Sequence, residues 1–335
     1  MRYRTVGSGA LRVGAIGLGC MPMSWGYTAS ERNGRESLRA VHAALDEGAT
    51  LLDTADVYGP FTNELLLGRV LCERRGDVFV ATKVGLLVGE HHMVANGRPG
   101  HVRRACDASL RRLRTDVIDL YQLHRPDPEV PVEETWGAMA ELVAAGKVRA
   151  LGVCAPDPAP VGRRGGGSGT RPYAGTLEVL RRVQQVFPVS TVQAEFSLWS
   201  PAAGETLLPW CEARGVGLLA SMPLGSGFLT GTLTPGSGFE PDDPRARHPR
   251  FTAEMMAANQ VLPAGLRRVA ERHPGATAAG VALAWLLTRG RHVIPIPGTK
   301  KERWARENCR AAALELSRED LAELAELPAA RQSWN

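Results

Sequence analysis

Short runs of Val, Ile, Leu and Ala alternate along the chain with longer stretches in which apolar residues recur every three or four positions. The runs cover residues 50–53, 78–83, 117–124, 149–153, 192–196, 217–221 and 293–297. Nearly continuous apolar character predicts strands buried on both faces, as in a parallel sheet covered by helices. Residues 36–47, 103–113, 133–145 and 278–288 lie between them with the period of amphipathic helices. At the start, residues 2–6 and 11–18 flank Gly7-Ser8-Gly9 and predict a β-hairpin, because glycine supplies the positive φ of a tight turn. With 13–18 as the first, the strands number eight, which favours a closed (β/α)₈ TIM barrel over an open doubly wound sheet. No G-x-G-x-x-G element opens the first helix, which argues against a Rossmann fold.

Three stretches fall outside the repeat. Residues 86–100 and 225–249 follow strand-like runs, where a barrel carries its active-site loops, and are expected to act as lids. Residues 156–173, with Arg-Arg-Gly-Gly-Gly-Ser-Gly, are expected to be a mobile surface insertion. No linker interrupts the alternation, so residues 1–335 are expected to form a single domain.

The composition, 44% hydrophobic and 22% charged over 335 residues, leaves material for a large core. No apolar run approaches the roughly 20 residues of a membrane span. The N-terminal segment is broken by Arg12 and several glycines, so no signal peptide and a cytoplasmic location are expected. Six cysteines without a C-x-x-C pair read as reduced thiols and not as a metal site. The net charge of +5 is scattered, without the basic and aromatic stripe of a nucleic-acid binder. Of 40 basic residues only Lys83, Lys147, Lys300 and Lys301 are lysines. In a chain so biased toward arginine, lysine is expected where a compact ammonium is needed and a guanidinium would not serve.

One of those lysines ends a strand-like run, Val80-Ala81-Thr82-Lys83. Asp53 closes another, with Tyr58 five residues on, and His124 closes a third. Singly these residues read as a cap, a core phenol or a structural imidazole. Together, at one end of neighbouring barrel strands, they can converge. An ammonium beside a phenol stabilises the phenolate, and a carboxylate beside the ammonium keeps it charged. His124 can hydrogen-bond a carbonyl oxygen and orient it.

The segments Asp-Thr-Ala-Asp-Val-Tyr-Gly, Ala-Thr-Lys, Asp-Leu-Tyr-Gln-Leu-His-Arg-Pro-Asp-Pro and Ile-Pro-Ile-Pro-Gly-Thr-Lys resemble the signature segments of the aldo-keto reductase family, in order, over nearly the whole chain. The resemblance implies a barrel that binds extended NADPH across its C-terminal face and reduces aldehydes or ketones, small-molecule carbonyl substrates. By position it implies Tyr58 as general acid, Lys83 and Asp53 tuning it, and His124 orienting substrate. It assigns Gln193 to the nicotinamide carboxamide and the loop Leu224-Gly225-Ser226-Gly227-Phe228-Leu229 to the pyrophosphate. Gly298, Thr299, Lys300 and Lys301, followed by Glu307 and Asn308, fall to the adenosine 2′-phosphate and adenine. Two positions depart from the pattern. Cys154-Ala155 stands where many relatives have Ser-Asn or Ser-Glu, and Ser221 where the family often has a tyrosine stacked on nicotinamide, so a looser grip on that ring is expected. Trp25, Tyr27 and Trp199 are expected to wall an apolar substrate pocket, with core packing as the equal alternative for Trp199. A rival reading is an NADP(H)-binding regulatory or scaffold subunit; the complete tetrad favours the enzyme. The residues carry no signal for an oligomeric state.

Overall fold

The computed structural model describes residues 2–7, 11–89, 93–155 and 172–331. The predicted Ser8-Gly9 turn, residues 90–92 of the first expected lid and residues 156–171 of the expected insertion lie outside the described residues.

A hairpin of β1 (Tyr3–Val6) and β2 (Leu11–Gly14) precedes the barrel. Eight parallel strands follow in the spatial order β3 (Leu18–Gly19), β4 (Leu51–Asp53), β5 (Phe79–Val84), β8 (Ile118–Leu123), β9 (Val148–Cys154), β10 (Thr191–Glu195), β11 (Gly217–Ser221) and β12 (Val293–Pro295). The sheet curls until its edges meet: Gly17 N–H donates to the Pro295 carbonyl at 2.9 Å, Gly19 N–H to the Pro297 carbonyl at 3.1 Å, and Gly19 bridges Gly298. A Cβ on Gly19 would sit 2.9 Å from the Ile296 carbonyl oxygen, so closure at this seam requires glycine. The result is the expected (β/α)₈ barrel.

Helices α1 (Gly34–Asp46), α2 (Thr62–Arg74), α3 (Pro99–Leu113), α4 (Val132–Ala144) and α5 (Ala174–Val186) alternate with the first strands. After them come α6 (Ala202–Thr206), α7 (Leu208–Glu212), α8 (Ala253–Asn259), α9 (Val261–Glu271), α10 (Ala278–Thr288), α11 (Glu302–Arg310) and α12 (Arg318–Ala325). Side chains of the sequence's own capping residues end several of them. The Asn33 side chain accepts from the Arg35 and Glu36 amides at the start of α1, and Ser317 with Asp320 forms a capping box on α12. No helix among the described residues is long and apolar enough to cross a membrane.

Strand alternation builds two apolar layers. Outward residues such as Leu52, Val80, Tyr121, Leu151 and Leu218 join the core beneath the helices. Inward residues, among them Leu51, Phe79, Leu120, Ala150, Leu219 and Ile294, fill the barrel, and Val6 and Val13 of the hairpin close its base. Further along the same inward faces the chemistry changes to Asp53, Lys83, Gln122 and Gln193, all buried. The polar layer therefore lies at the C-terminal mouth of an otherwise apolar barrel.

The first expected lid differs from a loop. It is an antiparallel hairpin, β6 (Leu86–Val88) and β7 (Met93–Ala95), with Leu86 opposite Ala95 and Val88 opposite Met93. Its base is tied to the barrel. Asn96 N–H donates to the Gly85 carbonyl, Gly97 N–H to the Asp127 carboxylate, and the Thr135 hydroxyl to the Gly97 carbonyl.

Candidate active site

Lys83 is fully buried, and its Nζ donates to Asp53 Oδ2 at 2.6 Å, to the Thr54 carbonyl at 2.8 Å and to Tyr58 Oη at 3.3 Å. The other Asp53 oxygen, Oδ1, accepts from Gln122 Nε2 at 3.1 Å and from Gln193 Nε2 at 2.8 Å. The carboxylate is thus held by an ammonium on one side and two amides on the other. His124 follows β8, with its N–H on the Val84 carbonyl, and its ring meets Tyr58 edge-on, centroids 5.9 Å apart. All four tetrad residues predicted from sequence come together.

The loop that carries Tyr58 is pinned by Asn63, a residue the sequence reading passed over. Its side chain accepts from Thr54 Oγ1 at 2.6 Å and donates to the Cys20 carbonyl at 2.8 Å and to Ser24 Oγ at 2.6 Å. Gly59 has φ +63, and a Cβ there would lie 2.4 Å from Thr62 Oγ1, so the turn after Tyr58 needs glycine. Trp25 packs edge-on against Tyr58 at 5.8 Å, and Ala55, Val57 and Leu86 complete an apolar collar round the phenol.

Burial dominates the electrostatics. It pushes the Tyr58 phenol up to about 12, while the Lys83 charge pulls the other way. The ammonium expected from the sequence to prevail does not, because the phenol is desolvated and Asp53 opposes Lys83. Lys83 itself is held above its ordinary value: burial lowers it, but the Asp53 charge and hydrogen bond together with Tyr58 and Cys154 outweigh that effect. His124 lies well below the usual imidazole range through burial and the charges of Lys83 and Arg125, so its ring is neutral. Its Nδ1 is buried without a partner among the described residues. Asp56, buried in the same loop as Tyr58, is pushed up to about 7 by burial and by the Glu64 charge.

The residues expected to hold cofactor lie in three places around the mouth. In the middle of β10, Gln193 accepts from the Cys154 thiol at 3.6 Å, so its amide is already engaged at both ends. Burial pushes the Cys154 thiol up to about 12, leaving it a neutral donor. Ser221 ends β11 half-buried, and Leu224 packs partly buried against the cluster that holds Ala15, Ile16 and Leu283. Beyond it Gly225, Ser226 and Gly227 have φ of +56, +53 and +95, a concave backbone turn. On the third side, Gly298 and Thr299 lead to α11, whose N-terminus no side chain caps. Lys300 is buried and donates to the Tyr27 and Thr28 carbonyls at 3.1 and 2.8 Å. Lys301 pairs with Glu36 at 3.2 Å. Glu307 accepts from Thr277 Oγ1 at 2.8 Å, and Asn308 is buried.

The aromatic residues expected to wall a substrate pocket separate. Trp25 stands beside Tyr58. Tyr27 lies elsewhere: its hydroxyl shares a 2.9 Å hydrogen bond with Ser226 Oγ, and the Arg245 guanidinium sits 4.9 Å from its ring. Trp199 is fully buried, stacked against Phe228 at 4.2 Å and met by Phe251, which is the core-packing alternative. Tyr27 and Ser226 belong to a clasp that joins two loops across the mouth. Arg245 donates to both oxygens of Asp243 at 3.0 and 2.7 Å and to the Ser226 carbonyl at 3.2 Å, while Asp243 accepts from the Thr28 amide at 3.1 Å. The sequence signals the loop but not these partners, which lie more than 200 residues apart in Thr28 and Asp243.

This barrel, with its strand-end tetrad, matches the model of the aldo/keto reductase family over residues 15–329, and the chain belongs to that family. It is 35% identical over 327 residues to a probable aldo-keto reductase from Glycine max, covering 96% of this chain and 87% of that protein. Among solved structures it resembles a glycerol dehydrogenase from Gluconobacter oxydans, with a TM-score of 0.81, 29% identity, and 97% and 94% of the two chains covered. It also resembles an aldo-keto reductase from Klebsiella pneumoniae in complex with NADPH, with a TM-score of 0.71, 28% identity, and 100% and 98% covered.

Proposed function

We propose that the chain is an NADPH-dependent carbonyl reductase in which Tyr58 gives its proton to the substrate oxygen. The observation that carries this reading is Lys83 Nζ lying between Asp53 and Tyr58, 2.6 and 3.3 Å away, with a neutral His124 against the same phenol. A phenol at about 12 keeps its proton until a strongly basic oxygen develops beside it. As negative charge grows on the carbonyl oxygen, the Tyr58 proton moves to it, and the adjacent ammonium stabilises the phenolate left behind. His124 steadies the same oxygen by hydrogen bonding. Trp25, Leu86 and Val57 exclude water from the phenol.

The residues present suit a phosphorylated dinucleotide. The left-handed turn at Gly225, Ser226 and Gly227 presents a backbone concavity for oxyanions, and the uncapped start of α11 beside Thr299 and Lys301 suits a phosphate. NADPH, when bound, supplies hydride to the carbonyl carbon. Gln193 keeps one amide hydrogen beyond its bond to Asp53, with which to hold a carboxamide. The NADPH complex of the Klebsiella relative supports the same cofactor.

Tyr58→Phe tests the proposal with NADPH oxidation followed against aldehydes, quinones, diketones and keto sugars. Turnover should fall roughly 100-fold or more, the scale of general acid catalysis, with NADPH affinity retained. A variant that reduces a good substrate at the wild-type rate overturns the assignment.

A further inference from the structure

Four large apolar side chains stand exposed on the short β6–β7 hairpin: Leu87, Val88, Met93 and Val94, at 39, 48, 52 and 44% of full exposure. Exposed apolar residues scattered singly need no explanation, but a cluster does. Strand alternation sorts these four. Leu86, Val88, Met93 and Ala95 share one face of the hairpin, and Leu87 and Val94 share the other. Leu86 is buried in the same collar as Tyr58, Val57 and Trp25. The face that joins the collar of the phenol therefore continues through Val88 and Met93, roughly 7 Å further along the strand at the usual rise per residue.

We propose that this face is the outer part of the substrate pocket, and that the substrate is a carbonyl compound with an extended hydrocarbon body lying from Tyr58 along Leu86 to Val88 and Met93. The inference rests on the reading of Tyr58 as the site of carbonyl reduction. Continuity with the collar selects the occupant. A stable protein partner buries roughly 20 to 30 residues a side, far more than this hairpin offers, whereas a few methylenes match it. The bonds from Asn96, Gly97 and Thr135 fix the base of the hairpin, so the face holds its position relative to Tyr58.

The test measures kcat/KM for straight-chain aldehydes of increasing length with the wild-type protein, the inner-face variants Val88→Ser and Met93→Ser, and the outer-face variants Leu87→Ser and Val94→Ser. All four positions are exposed, so serine there leaves the core intact. Wild type should gain up to about fourfold per added methylene while the chain still has apolar surface to cover. The inner-face variants should lose much of that gain yet match wild type on the shortest aldehyde, and the outer-face variants should keep it. Equal length dependence in every protein overturns the proposal, as does equal loss from both faces. A wild type that sediments as a dimer and variants of both faces that sediment as monomers assign the hairpin to self-association instead. Failure of the underlying reading is separately visible, as a Tyr58→Phe protein that reduces short aldehydes at the wild-type rate.

Discussion

Replacing Lys83 by methionine keeps the length of the side chain and removes its charge. In the wild-type structure Asp53 Oδ2 receives the ammonium at 2.6 Å, while Oδ1 is held by the amides of Gln122 and Gln193. The variant leaves a buried carboxylate with only the two amides to compensate it. Breaking a buried ion pair by removing one partner costs about 3 to 5 kcal/mol. The surviving amide donors place the expected loss near the lower end, about 3 kcal/mol. Adding Asp53→Asn removes the uncompensated charge while leaving an oxygen for both glutamines, so the double variant should recover about 2 kcal/mol of that loss. Activity should not recover, because the phenolate still lacks its ammonium. Urea unfolding of wild type, Lys83→Met, Asp53→Asn and the double variant, read alongside turnover, separates the two effects. A double variant no more stable than Lys83→Met refutes the reasoning, because the penalty then does not come from the isolated charge.

Asp56 predicts a pH dependence of stability. Its folded value, about 7, lies above that of a free carboxylate, so its contribution is fully present below about pH 4 and is lost as the pH rises through 7. Asp56→Asn should therefore match wild type near pH 4 and exceed it above pH 7 by something on the order of 4 kcal/mol at most, checked by thermal unfolding across that range. At the adenosine end, Lys301→Ala should weaken NADPH about tenfold and leave NADH unchanged, while Glu36→Gln, which frees Lys301 from its 3.2 Å partner, should tighten NADPH in fluorescence titration. At the nicotinamide end, Ser221→Tyr should tighten NADPH by about fivefold through an aromatic stack, with no effect on an adenosine fragment that lacks the nicotinamide.

The barrel was legible because both of its layers are written locally: unbroken apolar runs mark strands covered on two sides, and three- and four-residue spacing marks the helices over them. Asp53, Lys83 and His124 were legible for a related reason, since each interrupts or closes an apolar run at the same end. Long-range partners were not. Nothing near Gln122 in sequence says that its amide meets Asp53, nor near Arg245 that it lies over Tyr27. The β6–β7 hairpin was masked by its polar and glycine-rich surroundings, and its three-residue strands are too short to set a period. Lys300 read as a charge awaiting phosphate, whereas folding brings it to the Tyr27 and Thr28 carbonyls. The balance at Tyr58 also escaped, because the weight of desolvation depends on how completely Trp25 and Leu86 enclose the ring.

The seam between Gly19 and Gly298 joins strands from nearly opposite ends of the chain. Such a junction carries a large loop-closure entropy, and a folding nucleus built on it would form slowly. The neighbouring strands β4, β5 and β8 need no such reach, so Asp53, Lys83 and His124 can assemble early from adjacent βα units. Gly298 to Lys301 arrive with the last strand, bringing the uncapped start of α11 to the barrel only at closure. During synthesis the tetrad can thus precede the proposed dinucleotide platform, and a ligand spanning both would lock the final closure by mass action on the folded form.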